Sequence, residues 1–527
     1  MPALEEPPQP IGRVLAVSGA MITAALNDVA FAGAQPIVVG DLLGMPAGPD
    51  RAFGIVHSLR KGRRAADGPI AEIHLLGELV HRAGMPVFRR GLSAYPALDA
   101  PLARATRAET AVVYAQPSVP HVKVGQLRRD PDIPAYLLAD SLLGKHFAVL
   151  GSTGSGKSCA VTVILRSLLS SFPYAHVVLI DPHGEYGAAF GDQALPLDAG
   201  SLELPYWLLN QEEAASILTS GDTARAYAES AILRDAILRA KYTYLGVDPD
   251  SQAVTVDAPV PYRLSDLVRF IEEGMGTLNK PEVAASYRHL IARINAVRDD
   301  RRYAFMFQSV VLRDSMEAVL SRLIRLPVAG KSITILDISG VPSEIVNVVV
   351  SLLCRLFFEF GLWTERAVGV PVLVVCEEAH RYVPGDGALG FGPTRRAIDR
   401  IAKEGRKYGV SLCLVSQRPS ELSPGSLSQC GTIVALRLSN ERDQTIVRNA
   451  LPEGSDWLIR TLPALGTGEA VIVGEGVSVP MQIRFDSLPA GTQPASHTPS
   501  FSAAWSTEAD GPSVLRGAIT RWRGIQR

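Results

Sequence analysis

The sequence predicts an α/β protein with a parallel β-sheet core, a small β-barrel before it, a helical insertion within it and an arm after it. Short apolar runs, each followed by polar or glycine-rich residues, recur in 146–181 and 333–473. Helical spacing dominates between these two blocks, where strand signals are nearly absent. A glycine-rich loop separates the first apolar run from a helix. We divide the chain into a barrel (1–130), a core (131–209 and 331–485), a helical insertion (210–330) and a linker with a C-terminal arm (486–527).

The amino-terminal segment predicts a barrel because short apolar runs alternate with turn signals, while long helical periodicity is weak. Glycines and a glycine–aspartate pair punctuate the runs. No catalytic constellation is evident in this segment. The candidate strands are Val14–Val17, Ile37–Val39, Phe53–Val56, Ile73–Leu76 and Ala111–Tyr114.

A phosphate-binding pattern follows the first core strand, His146–Leu150. The next residues fit G-x-x-x-x-G-K-[ST], and Lys157–Leu169 then has the spacing of a helix. The backbone N–H groups of such a loop, together with the helix N-terminus, form an anion cradle. We expect Lys157 to reach the β- and γ-phosphates of ATP and the Ser158 hydroxyl to ligate Mg²⁺. The candidate nucleotide-binding residues of the loop are Gly151, Ser152, Thr153, Gly154, Ser155, Gly156, Lys157, Ser158 and Cys159.

The alternative is that the sequence fits the phosphate-binding pattern by chance. With average residue usage, such a chance match occurs in roughly 2% of chains of this length. The strand before the loop and the helix after it make that alternative weaker still.

Carboxylates follow two further core strands. Asp181 and Glu185 come after His176–Ile180, and they lie near the phosphates if this strand is next to the loop strand. Glu377 and Glu378 directly follow the apolar run 370–376. We expect Glu377 to support Mg²⁺ and Glu378 to polarise the water that attacks the γ-phosphate. The alternative for each carboxylate is a turn or a helix cap.

A basic segment, Thr394–Tyr408, carries six basic and two acidic residues and has helical spacing. One face of that helix would carry Arg396, Arg400, Lys403 and Lys407, with Arg395 and Arg406 on the flank. This face, together with Arg395, is a candidate DNA-binding surface, and its alternative is a solvated amphipathic helix. Gln417, at the end of the strand Val410–Val415, is a candidate contact for the γ-phosphate or the attacking water.

Composition limits the other possibilities. The net charge is −1, so any nucleic-acid site must be local rather than a global basic field. The five cysteines form no C-x-x-C pair, which favours buried thiols in a reducing compartment. The longest apolar stretch, Ile345–Trp363, contains Asn347, Arg355 and Glu359, so we expect a buried amphipathic helix and no membrane span. The acidic, proline-rich start does not read as a signal peptide, and we expect a cytoplasmic protein.

These pieces together resemble the HerA family of hexameric DNA translocases, in the HerA–FtsK group of RecA-like ATPases, over roughly residues 10–485. The stretches at 377–380, 401–410 and 416–423, in this order and spacing, are specific to that family. The matching stretches are FRRGLSAYP (88–96), LLGKHFAVLGSTGSGKS (142–158), DPHGEY (181–186), EEAH (377–380), IAKEGRKYGV (401–410) and SQRPSELS (416–423).

The resemblance implies a RecA-like ATPase core and a homohexamer that acts on double-stranded DNA. It implies that Glu378 is the catalytic base, that Arg406 serves the nucleotide of the neighbouring subunit and that Gln417 is a polar sensor. Lys145 lies where some relatives have a nucleotide-sensing arginine, whose planar fork lysine lacks. Relatives work with a separate effector, either a nuclease or a sirtuin-like NADase, in DNA-end processing or antiviral defence.

Three functions remain open at this point. The first is an ATP-driven motor that moves double-stranded DNA. The second is an assembly platform that binds ATP mainly to organise and activate a partner effector. The third, weaker reading is a coupling ATPase of secretion or conjugation, against which the absence of a predicted membrane segment counts.

Overall fold

The computed structural model describes most of the chain. The described residues are 9–31, 36–62, 68–82, 85–219, 223–248, 254–276, 281–307, 313–365, 367–386, 390–451, 456–495, 501–506 and 510–523. Three pieces of the predicted arm, 496–500, 507–509 and 524–527, lie outside these ranges.

The amino-terminal segment is a closed antiparallel barrel, as predicted. Its strands pair in the order β2-β1-β7-β3-β4-β5, and a β2–β5 pairing closes the ring. The long β5 also pairs with β6, which lies outside the ring. Alternate residues of these strands form a separate apolar core inside the barrel. The strands are β1 (Gly12–Ser18), β2 (Met21–Leu26), β3 (Leu42–Ala47), β4 (Asp50–Lys61), β5 (Pro69–Arg82), β6 (Met85–Arg90) and β7 (Pro101–Arg104).

Two predicted barrel strands are wrong. Ile37–Val39 lies in the turn that precedes β3. Ala111–Tyr114 ends a helix, α1 (Arg107–Val113), rather than forming a strand. The reason is a capping box at the start of α1, where Thr106 Oγ1 accepts the Glu109 N–H and Glu109 accepts the Thr106 N–H. The capping box therefore starts a helix where the apolar run alone predicts a strand.

The core is one sheet of eleven strands in the order β12-β13-β11-β14-β15-β10-β16-β17-β18-β8-β9. The first seven of these are mutually parallel, and the last four continue the sheet with antiparallel pairings. The strands are β8 (His121–Leu127), β9 (Pro134–Leu138), β10 (Phe147–Leu150), β11 (His176–Asp181), β12 (Ala194–Leu197), β13 (Ile333–Asp337), β14 (Val372–Cys376), β15 (Val410–Ser416), β16 (Thr432–Ala435), β17 (Glu469–Gly474) and β18 (Met481–Phe485).

The predicted boundary at residue 130 needs correction, because it falls inside this sheet, between β8 and β9. The sequence showed no clear change in composition there, and only the pairing of β8 with β18 reveals where the strand belongs.

Both faces of the parallel sheet are buried, which explains why its strands read as continuous apolar runs. In β10, Phe147 and Val149 contribute to one apolar cluster, whereas Ala148 and Leu150 contribute to the other. The helix α3 (Lys157–Ser171) packs in the first cluster, and α10 (Ser343–Trp363) packs in the second. By length and composition α10 could cross a membrane, but most of it is buried within the protein, as predicted for this stretch.

The helical insertion enters after β12 and returns at β13, two neighbouring strands of the sheet. Its helices are α4 (Gln211–Leu218), α5 (Thr223–Leu245), α6 (Leu264–Gly276), α7 (Pro281–Asp299), α8 (Ala304–Phe307) and α9 (Met316–Ile324). The remaining helices are α2 (Ala139–Gly144), α11 (Gly392–Glu404), α12 (Pro424–Leu427), α13 (Glu441–Ala450), α14 (Asp456–Thr461), α15 (Phe501–Trp505) and α16 (Gly511–Trp522).

A buried ion pair joins the insertion to the core. Glu213 on α4 is fully buried and accepts hydrogen bonds from Ser351 Oγ at 2.8 Å and from Arg355 Nη2 at 2.8 Å, both on α10. Arg355 also donates to the Leu208 carbonyl at 2.6 Å. Because a buried charge without a partner is costly, these contacts fix the position of α4 on α10.

Candidate nucleotide site

The glycine-rich loop joins the end of β10 to the start of α3, as predicted, and neighbouring segments hold it. Ser152 donates its N–H to the Arg437 carbonyl at 3.0 Å, just beyond β16. The Gly468 N–H donates to the Ser155 carbonyl at 3.0 Å. Gly156 has φ +94°, and a Cβ there would meet Gly468 N at 3.0 Å. Glycine is therefore required at 156, both for the left-handed turn and for this close approach.

Lys157, at the end of the glycine-rich loop, forms an ion pair with Glu377. Their side chains are only 8% and 4% exposed. Burial raises the pKa of Glu377 to about 7, although the Lys157 ammonium lowers it. Glu377 Oε2 is buried and has no hydrogen-bond partner among the described residues. The site thus holds a carboxylate oxygen and, at Ser158, a hydroxyl oxygen, the donor types that Mg²⁺ prefers.

Ser158 also contacts a carboxylate from the loop after β11. Its Oγ donates to Glu185 Oε2 at 3.2 Å. The sequence places Glu185 near the phosphates on the condition that its strand lies next to the loop strand. That condition is not met, because β14 and β15 lie between β11 and β10. The loop after β11 nevertheless extends past the carboxyl ends of β14 and β15 and brings Glu185 to the start of α3.

Asp181 is buried, and neighbouring backbone groups satisfy its carboxylate. It accepts the N–H of His183 at 3.1 Å and that of Tyr186 at 3.0 Å. Burial raises its pKa despite those hydrogen bonds. The contacts that the structure gives Asp181 are those of a residue that holds a turn, the alternative weighed for it from the sequence.

Glu378 stands in an unusual backbone conformation, with φ 52° and ψ 42°. This left-handed region costs a non-glycine residue on the order of 1–3 kcal/mol and is found preferentially at functional sites. Gln417 Nε2 donates to Glu378 Oε1, and Gln417 Oε1 accepts from Thr153 Oγ1 at 2.6 Å. Gln417 therefore bridges the phosphate loop and Glu378.

Arg406 lies at the end of the sheet where the parallel strands begin, opposite the end that carries the phosphate loop. The helix α11 ends at Glu404, as expected near Gly405, and Arg406 follows in a 3-10 turn with an exposed side chain. It lines a cavity of about 610 Å³ together with residues that precede β11, β14 and β15, among them Tyr174 and Pro371. The phosphate loop follows the end of β10, whereas this cavity lies where the parallel strands begin.

The basic face of α11 is partly engaged within the chain. Arg396 pairs with Glu212 of the insertion, and Arg395 lies 3.8 Å from Asp399. The Arg400 guanidinium lies over the Phe358 ring, 4.2 Å from its centroid. Lys403 and Lys407 are exposed. The opposite face of the helix, formed by Ile398, Ile401 and Ala402, is buried as predicted.

Two further predicted positions have simple surroundings. Cys159, in the first turn of α3, is exposed, but the protein around its thiol displaces enough water to raise the pKa of that thiol. Lys145 pairs with Glu475, an exposed contact away from the loop.

Sequence reasoning did not select three residues that the structure brings to the site. His380 Nδ1 lies 3.2 Å from Glu378 Oε2. Arg437 Nη2 lies 3.4 Å from the Gly154 carbonyl, and so does Thr467 Oγ1. His380 was visible in the EEAH motif, but no spacing rule gives it a role. Arg437 and Thr467 come from segments far along the chain and carry no local signal.

Comparison with known proteins agrees with the geometry. Residues 122–357 match the family model described as the central domain of helicase HerA. The chain is 28% identical to the DNA double-strand break repair helicase HerA of Pyrococcus furiosus over 400 residues, covering 69% of each chain. It is 22% identical to the HerA of Saccharolobus solfataricus, covering 88% of this chain and 90% of that one.

Two solved structures are also similar. VirB4 of Thermoanaerobacter pseudethanolicus matches with a TM-score of 0.49 and 15% identity, over 72% of this chain and 99% of that one. The plasmid coupling protein TrwB, in complex with ADP and Mg²⁺, matches with a TM-score of 0.45 and 12% identity, over 76% and 95%.

The HerA resemblance is confirmed. Residues 122–357, which contain the P-loop, are similar to the central domain of the HerA helicases, and the protein is an ATPase of the helicase type.

Proposed function

We propose that the protein is an ATP-hydrolysing motor that moves double-stranded DNA through a homohexameric ring in the cytoplasm, together with a separate effector. Its relatives are DNA double-strand break repair helicases by name. The effector would be a nuclease or a sirtuin-like NADase, and the process DNA-end processing or antiviral defence.

In this proposal each residue of the site has its own role in ATP hydrolysis. Lys157 leaves Glu377 and binds the β- and γ-phosphates, since the phosphates offer it a stronger negative charge. Ser158 and Glu377 would hold Mg²⁺, which neutralises phosphate charge when bound. Glu378 accepts the proton of the attacking water, and Gln417 orients that water or the γ-phosphate.

The position of Arg406 carries the proposal. A seven-residue strand such as β15 is roughly 20 Å long, which is several times the reach of an arginine side chain. Arg406, near the start of β15, therefore cannot reach a nucleotide bound to the phosphate loop of its own subunit, which lies at the other end of the parallel strands. An exposed arginine in that position can contact the nucleotide of a neighbouring copy. When every copy contacts the next in this way, the copies form a ring or a filament.

Mixed assemblies test this role. Arg406→Ala should abolish ATP turnover with or without DNA, because an arginine supplied in trans contributes roughly 10³–10⁵ in rate in the analogous GTPase case. Lys157→Ala should also be inactive, through weak ATP binding. In the proposed ring, each site combines Lys157 of one subunit with Arg406 of its neighbour. Mixing the two variants should therefore create some sites that contain both residues, and these sites should turn over ATP. Mixed rings that form and remain inactive would rule out a trans role for Arg406.

A ring also explains how a chain of net charge −1 could hold DNA, by confining basic residues to its channel. Native mass measurement with and without ATP tests the ring directly. A strict monomer under both conditions would refute the proposal.

The second candidate is an assembly platform, in which ATP binding mainly organises and activates the effector. The partial engagement of Arg395, Arg396 and Arg400 within the chain favours it, because fewer free charges remain on that face for DNA. Turnover separates the two functions. Strong stimulation by double-stranded DNA supports the motor, whereas stimulation by an effector alone supports the platform.

A further inference from the structure

The carboxylate of Glu378 has a different neighbour at each oxygen. Gln417 donates to Oε1 from the side of the phosphate loop. On the other side, His380 Nδ1 lies 3.2 Å from Oε2, and Oε2 is buried without a hydrogen-bond partner among the described residues. The same Nδ1 is hydrogen-bonded to Ser416 Oγ at 3.1 Å. A small rotation of the imidazole would therefore exchange Ser416 for Glu378 as its partner.

The imidazole is anchored to the rigid part of the fold. Ser416 is the last residue of β15 and is fully buried, and its Oγ also accepts the Arg418 N–H at 3.1 Å. The left-handed turn at Glu378 starts a short 3-10 helix, closed by the Arg381 N–H to the Glu378 carbonyl at 2.9 Å. This turn folds His380 back beside the Glu378 side chain.

In the proposed function, Gln417 leaves Glu378 during the reaction. Its other atom, Oε1, is bonded to Thr153 of the phosphate loop, where the phosphates of ATP would bind. When Gln417 turns to the γ-phosphate or the water, Oε1 of Glu378 becomes free to take the proton of that water. The carboxylate then needs a fixed contact at Oε2, or it would rotate away from the reacting water.

We infer that His380 is a positioning residue that holds Oε2 of Glu378 while Oε1 faces the attacking water. This inference rests on the proposed function, in which Glu378 is the base. The pKa of His380 is lowered, chiefly by burial, so the ring is neutral near neutral pH and acts as a hydrogen-bond donor rather than a counter-ion.

Two substitutions at this position test the inference. His380→Ala removes the donor, and His380→Asn keeps an amide N–H close to the position of Nδ1. We expect His380→Ala to lower kcat about tenfold, a part of the 10²–10⁴ that a positioned general base supplies. KM and the affinity for a non-hydrolysable ATP analogue should stay unchanged. His380→Asn should recover most of kcat. The matched control is His121→Ala in β8, which removes two hydrogen bonds outside the site and should leave kcat unchanged.

A second comparison separates this inference from the proposed function. In a Glu378→Gln background, adding His380→Ala should cause no further loss, because His380 acts through the missing carboxylate. If Glu378→Gln is inactive but His380→Ala has the wild-type kcat, the inference fails and the base assignment stands. If Glu378→Gln is fully active, the base assignment fails first. An equal loss of kcat and nucleotide affinity in His380→Ala, without recovery by Asn, would mean that His380 only supports the fold.

Discussion

Replacing Glu377 by Gln should stabilise the nucleotide-free protein, and more so at higher pH. Folding buries the Glu377 carboxylate, which raises its pKa from an ordinary 4.5 to about 7. A group whose pKa is raised by folding stabilises the folded state below its unfolded pKa, and this contribution is lost as the pH rises through the folded pKa. Gln has the shape of the neutral acid and keeps an oxygen for Lys157, but it never ionises. The attraction of the Lys157 ammonium, which Gln loses, is already included in the pKa of about 7, because Lys157 lowers that pKa and burial still outweighs it.

The magnitude follows from the pKa. At about 1.4 kcal/mol for each pH unit, the variant should exceed the wild type by about 3 kcal/mol at pH 8. At pH 5 only a small part of that ionisation cost remains, so the difference should be about 1 kcal/mol. The side chain is 4% exposed, so solvent screening reduces this cost little.

The assay is urea unfolding without nucleotide at pH 5 and pH 8, followed by tryptophan fluorescence, since Trp207 is buried in the core. Glu78→Gln in the barrel is the matched control with the opposite sign. Burial raises the pKa of Glu78, but hydrogen bonds from Ser93 and Arg89 outweigh this and lower it, so its loss should destabilise the protein at both pH values. A Glu377→Gln variant that gains no stability between pH 5 and pH 8 would refute the reasoning.

Glu378→Gln should keep ATP binding but lose at least about 10²-fold in phosphate release, the scale of general-base catalysis; turnover at the wild-type rate would move the base elsewhere. Neutralising Arg396 and Arg400 together should spare basal turnover and reduce the salt dependence of DNA binding by about one slope unit for each lost phosphate contact. An unchanged slope would assign these arginines to their contacts within the chain. Arg355→Met should destabilise the protein by about 3–5 kcal/mol, seen as a lower Tm, because it leaves Glu213 buried and unpaired; an unchanged Tm would mean that Glu213 takes up a proton or another partner.

The parallel strands could be predicted from the sequence because both of their faces are buried. Five of the seven, β10, β11, β13, β14 and β15, appear as apolar runs ending in polar residues, and the apolar run Ile433–Leu438 predicts a sixth, β16. The edge strand β12 is short and contains a proline, so no run was visible. In the barrel, Leu42–Ala47 contains a glycine and a proline, which concealed a strand whose pairing the closed ring determines.

The site could be predicted as a set of residues but not as an arrangement. The loop pattern and the acidic pair lie in continuous stretches, so spacing was sufficient to find them. Glu185 meets Ser158 although two strands separate β11 from β10, and the length of a loop is not encoded in any motif. The left-handed conformation of Glu378 and its contact with His380 depend on tertiary packing, which local sequence does not specify.

The place of β8 in the sheet determines where the chain can be shortened. β8 lies between β18 and β9, so a truncation at residue 130 would remove an internal strand and not merely an appendage. The shortened protein would have β9 without a partner and a freshly opened edge along β18, whose unpaired N–H and C=O groups invite association with other chains. An ATPase core expressed without its barrel should therefore begin before His121, and a fusion partner attached there would leave the sheet intact.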